Sequence, residues 1–297
     1  MSALRDEPPT PAGWRAILIR AGKEFLADNA SMLASALAYD SFFAIPSVLL
    51  VVVGAFTLTV GPSTVASLMH HFRDVMPAQA TTLLGSSLKH LTAHPAQGIA
   101  MVAVGIVLAL WSTTGAMTAY MTAINLAYEQ KDRRGFLRRR LVALEMVAAV
   151  GVAFLLVAVF LMFGPPIEHL IATHAGAAGG VVGWVWWVAQ WPILVGGLLA
   201  AFATLLYLGP DIEKPRWELV TPGSLVATVL WLAASGAFAV YTATFGSYNK
   251  TWGTLSAVIV MLTWLWLSAM ALLLGAEINA EAERTRRLRS APSASQI

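Results

Sequence analysis

Six long apolar stretches separated by short polar segments dominate the pattern of this 297-residue chain. Each can cross about 30 Å of hydrocarbon, which takes roughly 20 residues of helix. Lipid offers the backbone no hydrogen-bond partners, and the stretches do not alternate apolar and polar residues, so they predict helices rather than barrel strands. The pattern therefore predicts an all-α membrane protein, a bundle of about six transmembrane helices. The predicted spans are residues 41–60, 98–124, 141–163, 181–208, 219–242 and 253–276.

The segments outside the spans complete the predicted domain organisation. Residues 1–30 form an N-terminal segment, in which Gly13–Ala30 predicts an amphipathic helix at the inner membrane surface or on the cytoplasmic flank of the bundle. The transmembrane domain covers residues 31–280. Its long outer loop, residues 61–97, has helical patterning and predicts one or two short helices. The basic tail, residues 281–297, is predicted to be a disordered cytoplasmic segment.

Composition supports a membrane protein. Charged residues make up only 12% of the chain and hydrophobic residues 58%, whereas an average soluble domain is roughly 25% charged. So little charge cannot cover the surface of a soluble globule of this size. The absence of cysteine excludes disulfides, thiolate metal sites and thiol nucleophiles.

The positions of the basic residues predict the orientation. All but three of the 19 lysines and arginines lie in the N-terminal segment, the loops after the second and fourth spans, and the tail. Because basic segments stay on the cytoplasmic side, both termini are predicted to be cytoplasmic. The loop after the second span holds a run of arginines that predicts contact with anionic lipid rather than nucleic acid. Its members are Arg133, Arg134, Arg138, Arg139 and Arg140.

Five polar residues near the inner ends of four spans are the candidate functional residues: Asp40, Asn125, Glu145, Glu277 and Asn279. Two interpretations of this cluster stay open. The residues could line a water-filled cavity that binds a cation, a proton or a polar head group. They could equally be hydrated or paired helix ends that lock the bundle.

Proline and glycine mark candidate hinges within two spans, at Pro46 and at Pro192 with Gly196 and Gly197. Proline removes a backbone donor and kinks a helix. Transporters use such breaks at substrate sites, although membrane helices also tolerate them without using them. No metal site or cofactor is predicted. All six histidines fall in the outer loops, and the helical pair His90 and His94 lacks an identifiable third ligand.

Several motifs, in order along most of the chain, resemble the YihY/BrkB family of bacterial inner-membrane proteins. They include Ala36-Leu37-Ala38-Tyr39, Leu110-Trp111-Ser112, Ala123-Ile124-Asn125, Arg134-Gly135-Phe136, Pro222-Gly223, Leu265-Trp266-Leu267-Ser268 and Gly275-Ala276-Glu277-Ile278-Asn279-Ala280. The resemblance implies a six-span bundle in the bacterial inner membrane. It carries over Asn125, Glu277 and Asn279, but not Asp40, which stands where an uncharged residue is expected. Trp252-Gly253 likewise replaces the usual Tyr-Gly.

Two classes of function follow. The first is a transporter or a lipid-handling protein of unknown substrate. The alternative is a non-catalytic membrane scaffold, or an envelope-integrity or virulence factor, that acts through protein partners. The family also carries an older label as the tRNA-processing ribonuclease BN, but the sequence offers no predicted cytoplasmic metal ligands or acid–base pair for that reaction. We therefore expect no enzymatic activity and no nucleic-acid partner.

Reporter fusions test the predicted topology. Fusions after Gln130 and after the tail should report a cytoplasmic location, and a fusion within Ser86–Pro95 should report an external one, because the basic loops remain inside. A cytoplasmic signal from the Ser86–Pro95 fusion would contradict the orientation.

Overall fold

The computed structural model describes residues 13–49, 95–174, 179–212, 218, 220–244 and 254–290. Within these ranges the chain forms helices and no strand, which confirms the all-α class. The helices are α1 (Trp14–Ala27), α2 (Ala30–Leu49), α3 (Pro95–Ala127), α4 (Phe136–His174), α5 (Gly179–Leu208), α6 (Pro222–Thr244) and α7 (Thr254–Ser290).

Five of these helices, α2, α3, α5, α6 and α7, contain a segment long and apolar enough to cross a membrane. Helix α4 covers the predicted third span, residues 141–163. Helix α2 begins at Ala30, and residues 50–60 of the predicted first span lie outside the described ranges. The predicted outer-loop helices also lie outside those ranges, apart from residues 95–97 at the start of α3.

Helix α1 confirms the predicted amphipathic helix and packs against α7. Ile17 and Ala21 are its buried residues. Asn29, with a φ of 53°, separates α1 from α2. Asparagine tolerates this left-handed conformation better than most residues, so the chain can turn here and continue as the second helix.

The predicted disorder of residues 281–297 is wrong for its first ten residues, because α7 continues through Ser290. Ala282 and Thr285 are buried in this extension. Glu281 is also buried, and its carboxylate lies 3.0 Å from the Arg20 guanidinium of α1. Packing against α1 therefore gives this polar segment the tertiary contacts that a free tail lacks.

The chain divides into two compact units, residues 40–116 and residues 1–39 with 117–297. In the smaller unit, the rings of Phe42 and Phe43 meet edge to face, with centroids 5.7 Å apart. The core of the larger unit brings together residues of α2, α3, α5, α6 and α7. Its fully or nearly buried members include Ala34, Leu37, Ile124, Leu206, Ala227, Leu272 and Ala276.

Helices α6 and α7 meet through two glycines and two tryptophan–serine pairs. A Cβ on Gly223 would collide with the carbonyl oxygen of Gly275, and a Cβ on Gly275 would lie 2.7 Å from the carbonyl oxygen of Gly223. Small residues allow such close approach in membrane bundles. Further along, the Trp231 indole donates to Ser268 at 2.9 Å and the Trp264 indole donates to Ser235 at 3.2 Å. Indoles and hydroxyls thus satisfy each other inside the contact.

Replacing Gly275 with alanine should destabilise the protein by about 1–3 kcal/mol, since the methyl group would overpack the backbone of α6. Gly236→Ala is the matched control, because nothing lies within 4 Å of a Cβ at that α6 position. It should be neutral or stabilise the helix by up to about 1 kcal/mol. Thermal unfolding of the purified protein in detergent measures both, and equal melting temperatures would contradict the close contact.

Candidate functional site

Asn125 connects the end of α3 to the segment that follows α5. Its amide nitrogen donates to the carbonyl oxygens of Met121 at 2.8 Å and Gly209 at 3.3 Å. Its amide oxygen accepts a hydrogen bond from the backbone N–H of Asp211 at 2.7 Å. Both polar ends of this buried side chain are therefore satisfied.

Asn279 on α7 makes a similar connection to the start of α6. Its amide oxygen accepts from the Gly223 N–H at 2.8 Å, and its amide nitrogen donates to the Thr221 hydroxyl at 3.0 Å. The first N–H groups of a helix have no partner within the helix. Asn279 thus supplies a cap from a neighbouring helix, which is a structural role whether or not it has a second one.

Arg134 binds the other unsatisfied helix end, the C-terminus of α5. Its guanidinium donates to the carbonyl oxygens of Leu208 at 3.1 Å and Pro210 at 2.6 Å, and to the Asp211 carboxylate at 3.2 Å. A cation at a helix C-terminus also interacts favourably with the helix dipole. The Arg134 side chain is only 9% exposed, so it binds protein groups rather than the predicted lipid.

The other four arginines of this run, three of which lie in α4, bind either protein groups or solvent. Arg139 pairs with the Asp132 carboxylate at 3.2 Å and donates to the Thr118 carbonyl oxygen and to the Thr122 hydroxyl. The Arg140 guanidinium lies over a neighbouring ring, 5.6 Å from the centroid of Phe136. Arg133 and Arg138 are exposed. These two remain the best placed of the five for the predicted contact with anionic lipid.

A cavity of about 70 Å³ lies beside Asn279, between the ends of α3 and α5, the start of α6, and α7. It has room for a few water molecules. Its lining includes apolar residues. The polar and charged residues of the lining are Tyr128, Tyr207, Glu218, Thr221, Asn279, Glu283 and Arg286.

Burial raises the pKa of the Tyr128 hydroxyl well above its ordinary value of 10, and the nearby carboxylates of Glu283 and Glu277 act in the same direction. Tyr128 is thus a neutral hydrogen-bonding group at physiological pH.

Glu277 occupies a different face of α7. It is 5% exposed, and no hydrogen bond or ion pair to it occurs within the described part of the chain. The charged groups that act on it electrostatically are all carboxylates. They are Asp28 directly after α1, Glu24 of α1, Glu281 of α7, and Glu129 in the segment after α3.

The structure thus gives the five candidate residues different surroundings. Asn125, Asn279 and Glu277 are buried in the larger unit. Glu145 is exposed on α4, and Asp40 is half-buried in the smaller unit. Of the described residues, no group of three or more histidine, aspartate or glutamate side chains is arranged to hold a metal ion.

The candidate hinges lie within helices. Pro46 is in α2 and Pro192 is in α5, and both are exposed. No atom lies within 4 Å of a Cβ built on Gly196 or on Gly197, so these glycines are not required by close packing. Their role as hinges stays a prediction.

Sequence reasoning did not identify Asp211, Glu281 or Tyr128 as parts of this region. Asp211 binds Arg134 across 77 positions, and Glu281 binds Arg20 across an even longer separation. The available signals were a charged residue beside Gly209-Pro210 and the alternation of acidic and basic residues after position 277. Neither signal predicts which arginine the carboxylate binds.

Replacing Arg134 with glutamine should destabilise the protein by about 1–3 kcal/mol, because the buried carbonyl oxygens at the end of α5 lose their donor. Arg138→Gln is the control, since Arg138 is exposed, and it should change stability by no more than about 0.5 kcal/mol. Thermal unfolding in detergent compares them. A larger loss for Arg138→Gln would mean that the run of arginines stabilises the protein through its surface.

Comparisons with known proteins agree with this architecture. The family model described as "Virulence factor BrkB" matches residues 21–297. A "Putative ribonuclease-like protein YfkH" of Bacillus subtilis is 31% identical over 71% of this chain and 76% of its own length. A "UPF0761 membrane protein Smlt0865" of Stenotrophomonas maltophilia is 27% identical over 86% of this chain, which spans 58% of that relative. No solved structure matches the chain. The protein is thus a multi-pass helical membrane protein that belongs to the BrkB family.

Proposed function

We propose that this protein is a transporter or a lipid-translocating protein of the bacterial inner membrane, with both termini in the cytoplasm. The observation that carries the proposal is the polar cavity beside Asn279. A translocation pathway requires polar space between the helices, whereas a static scaffold does not require it.

The lining of this cavity brings polar groups at the helix ends next to the apolar core of the bundle. Tyr128, Asn279 and Glu283 lie among the apolar side chains of Ala203 and Leu206. Polar and ionisable groups inside membrane proteins are costly and commonly mark the paths of substrates or ions. We interpret the cavity as the closed inner vestibule of such a path.

On this proposal the structure represents a closed state of the pathway. About 70 Å³ holds water but no lipid head group or larger solute. A substrate therefore needs the surrounding helices to separate. The contacts that must then change include the hydrogen bonds of Asn279 to Thr221 and Gly223, because they join α7 to the start of α6 beside the cavity.

One observation favours the scaffold instead. Arg134, Asn125 and Asp211 form a connected set of hydrogen bonds that fixes the end of α5 against α3. Such a set stiffens the bundle, as a scaffold would require. It lies outside the contact between α6 and α7, however, and is compatible with movement of α7 against its neighbours.

The ribonuclease-like name of the Bacillus relative calls for a direct control. Metal-assisted cleavage of RNA needs carboxylate or histidine ligands that converge on one ion. The parts of the chain that the structure describes contain no such group of three. A nuclease assay on the same purified protein accompanies the transport experiment, and RNA cleavage above background would replace our proposal.

Reconstitution tests the proposed function. Purified protein in vesicles of phosphatidylethanolamine and phosphatidylglycerol should accelerate lipid scrambling or the flux of a small solute or ion over protein-free vesicles. Ala282→Phe should lower this rate about tenfold, because Ala282 is a buried residue of the cavity wall and a ring there holds the cavity shut.

Ala237→Phe is the matched control, since Ala237 is exposed on α6 and its replacement leaves the cavity unchanged. Its rate should equal that of the unmodified protein. Folded protein that accelerates none of these processes would support the scaffold, and equal loss in both variants would show that the cavity is not the path.

A further inference from the structure

We infer that Glu277 binds a proton and is the protonation site of the working cycle, on the side of α7 that faces α1 rather than the cavity. This inference deepens the proposed function and rests on it. The proton comes from water and converts the carboxylate into a neutral carboxylic acid.

Helix α7 presents two chemically different faces at this level. Asn279, Ala282, Glu283 and Arg286 follow the helical spacing of one face and line the cavity. Glu277 stands two positions before Asn279, which turns it by about 200° to the other side. Like Glu281, which follows it by one helical turn, it therefore faces α1.

Glu277 has no counter-ion among the residues that the structure describes. The C-terminal end of α1 contributes the carboxylate of Glu24 and, directly after the helix, that of Asp28; the segment after α3 contributes Tyr128 and Glu129. Two cations of α1 and α7 lie against another carboxylate on this face. Arg20 of α1 and Arg284 of α7 both bind the carboxylate of Glu281, at 3.0 Å and 3.4 Å.

A negative charge in this position is expensive. Removing a carboxylate from water costs several kcal/mol unless a partner compensates for it, and Glu277 is 5% exposed with no hydrogen-bond partner among the described residues. Its carboxylate neighbours add repulsion instead of attraction. Proton uptake removes the desolvation cost and the repulsion in a single step.

A proton fits this site better than a metal ion does. A bound metal needs several oxygen ligands at about 2.0–2.6 Å from one point. The described carboxylates here lie close enough to influence Glu277 through their charge but form no set of three with ligand geometry. A proton needs only one carboxyl oxygen.

Tyr128 gives the site a connection to the cavity. Its side chain lines the cavity wall, and it responds to the charges of both Glu283 and Glu277. A change of charge on Glu277 therefore alters the electrostatic environment of one residue of the cavity wall. Neutralising Glu277 also removes its repulsion from Glu24 and Asp28 and so allows α1 to pack more tightly on α7. Protonation thereby couples α1 to the closed vestibule.

Infrared spectroscopy of the purified full-length protein in lipid nanodiscs tests this inference. At neutral pH we expect a protonated-carboxyl absorption that Glu277→Gln lacks and that shifts in Glu277→Asp. Glu145→Gln is the matched control, because Glu145 is an exposed glutamate on α4, and it should retain the absorption. Glutamine preserves the shape of the side chain, and the aspartate variant keeps the test available if Glu277→Gln fails to fold.

A companion measurement separates this inference from the proposed function. The same proteins in the vesicles described above are exposed to an imposed pH gradient, and transport is recorded. We expect the gradient to drive transport in the unmodified protein and in Glu145→Gln, and Glu277→Gln to lose this dependence. Transport without a protonated Glu277 would overturn the proton site and leave the function standing. A protonated Glu277 in a protein that transports nothing would contradict the proposed function and leave the proton site standing.

Discussion

Helix ends leave backbone N–H and C=O groups without partners, and one end of this bundle depends on satisfying them with side chains. Asn279 caps the start of α6, Arg134 binds the carbonyl oxygens at the end of α5, and Asn125 holds the segment that follows it. Asn279 and Asn125 come from other helices, and Arg134 comes from the segment between α3 and α4. The same bonds that complete the backbone therefore also join the helices, and Asn279 lines the polar cavity as well.

This arrangement explains why the candidate polar residues have different roles. The two asparagines use both of their polar atoms on the backbone and neighbouring side chains. Glu277 has the same depth of burial but no such partner in the described residues. An amide can satisfy itself with neutral backbone groups, whereas an ionised carboxyl needs donors or a cation. Glu277 is thus the member of the group whose burial is not explained by bonds to its surroundings.

The fold class and most helices could be predicted from the sequence, because length and apolar character are local properties. The end of α7 could not. Residues 281–290 look like a basic tail in sequence, and their helix depends on packing against α1 and on the pairing of Glu281 with Arg20. The candidate site was predicted in part: the burial of Asn125, Asn279 and Glu277 follows from their place in apolar segments, but no local signal distinguishes Glu145, which faces outward.

The length of α7 has a mechanical consequence. Its 37 residues make a rod about 55 Å long, while the hydrocarbon core of a bilayer is about 30 Å thick. Part of the helix therefore extends beyond the hydrocarbon, and α1 packs against this part. A continuous helix bends little, so the buried part tilts together with the projecting part. A movement of α1 and the projecting part of α7 at the membrane surface can in this way shift the Gly275 contact with α6 directly, without rearrangement of the other helices.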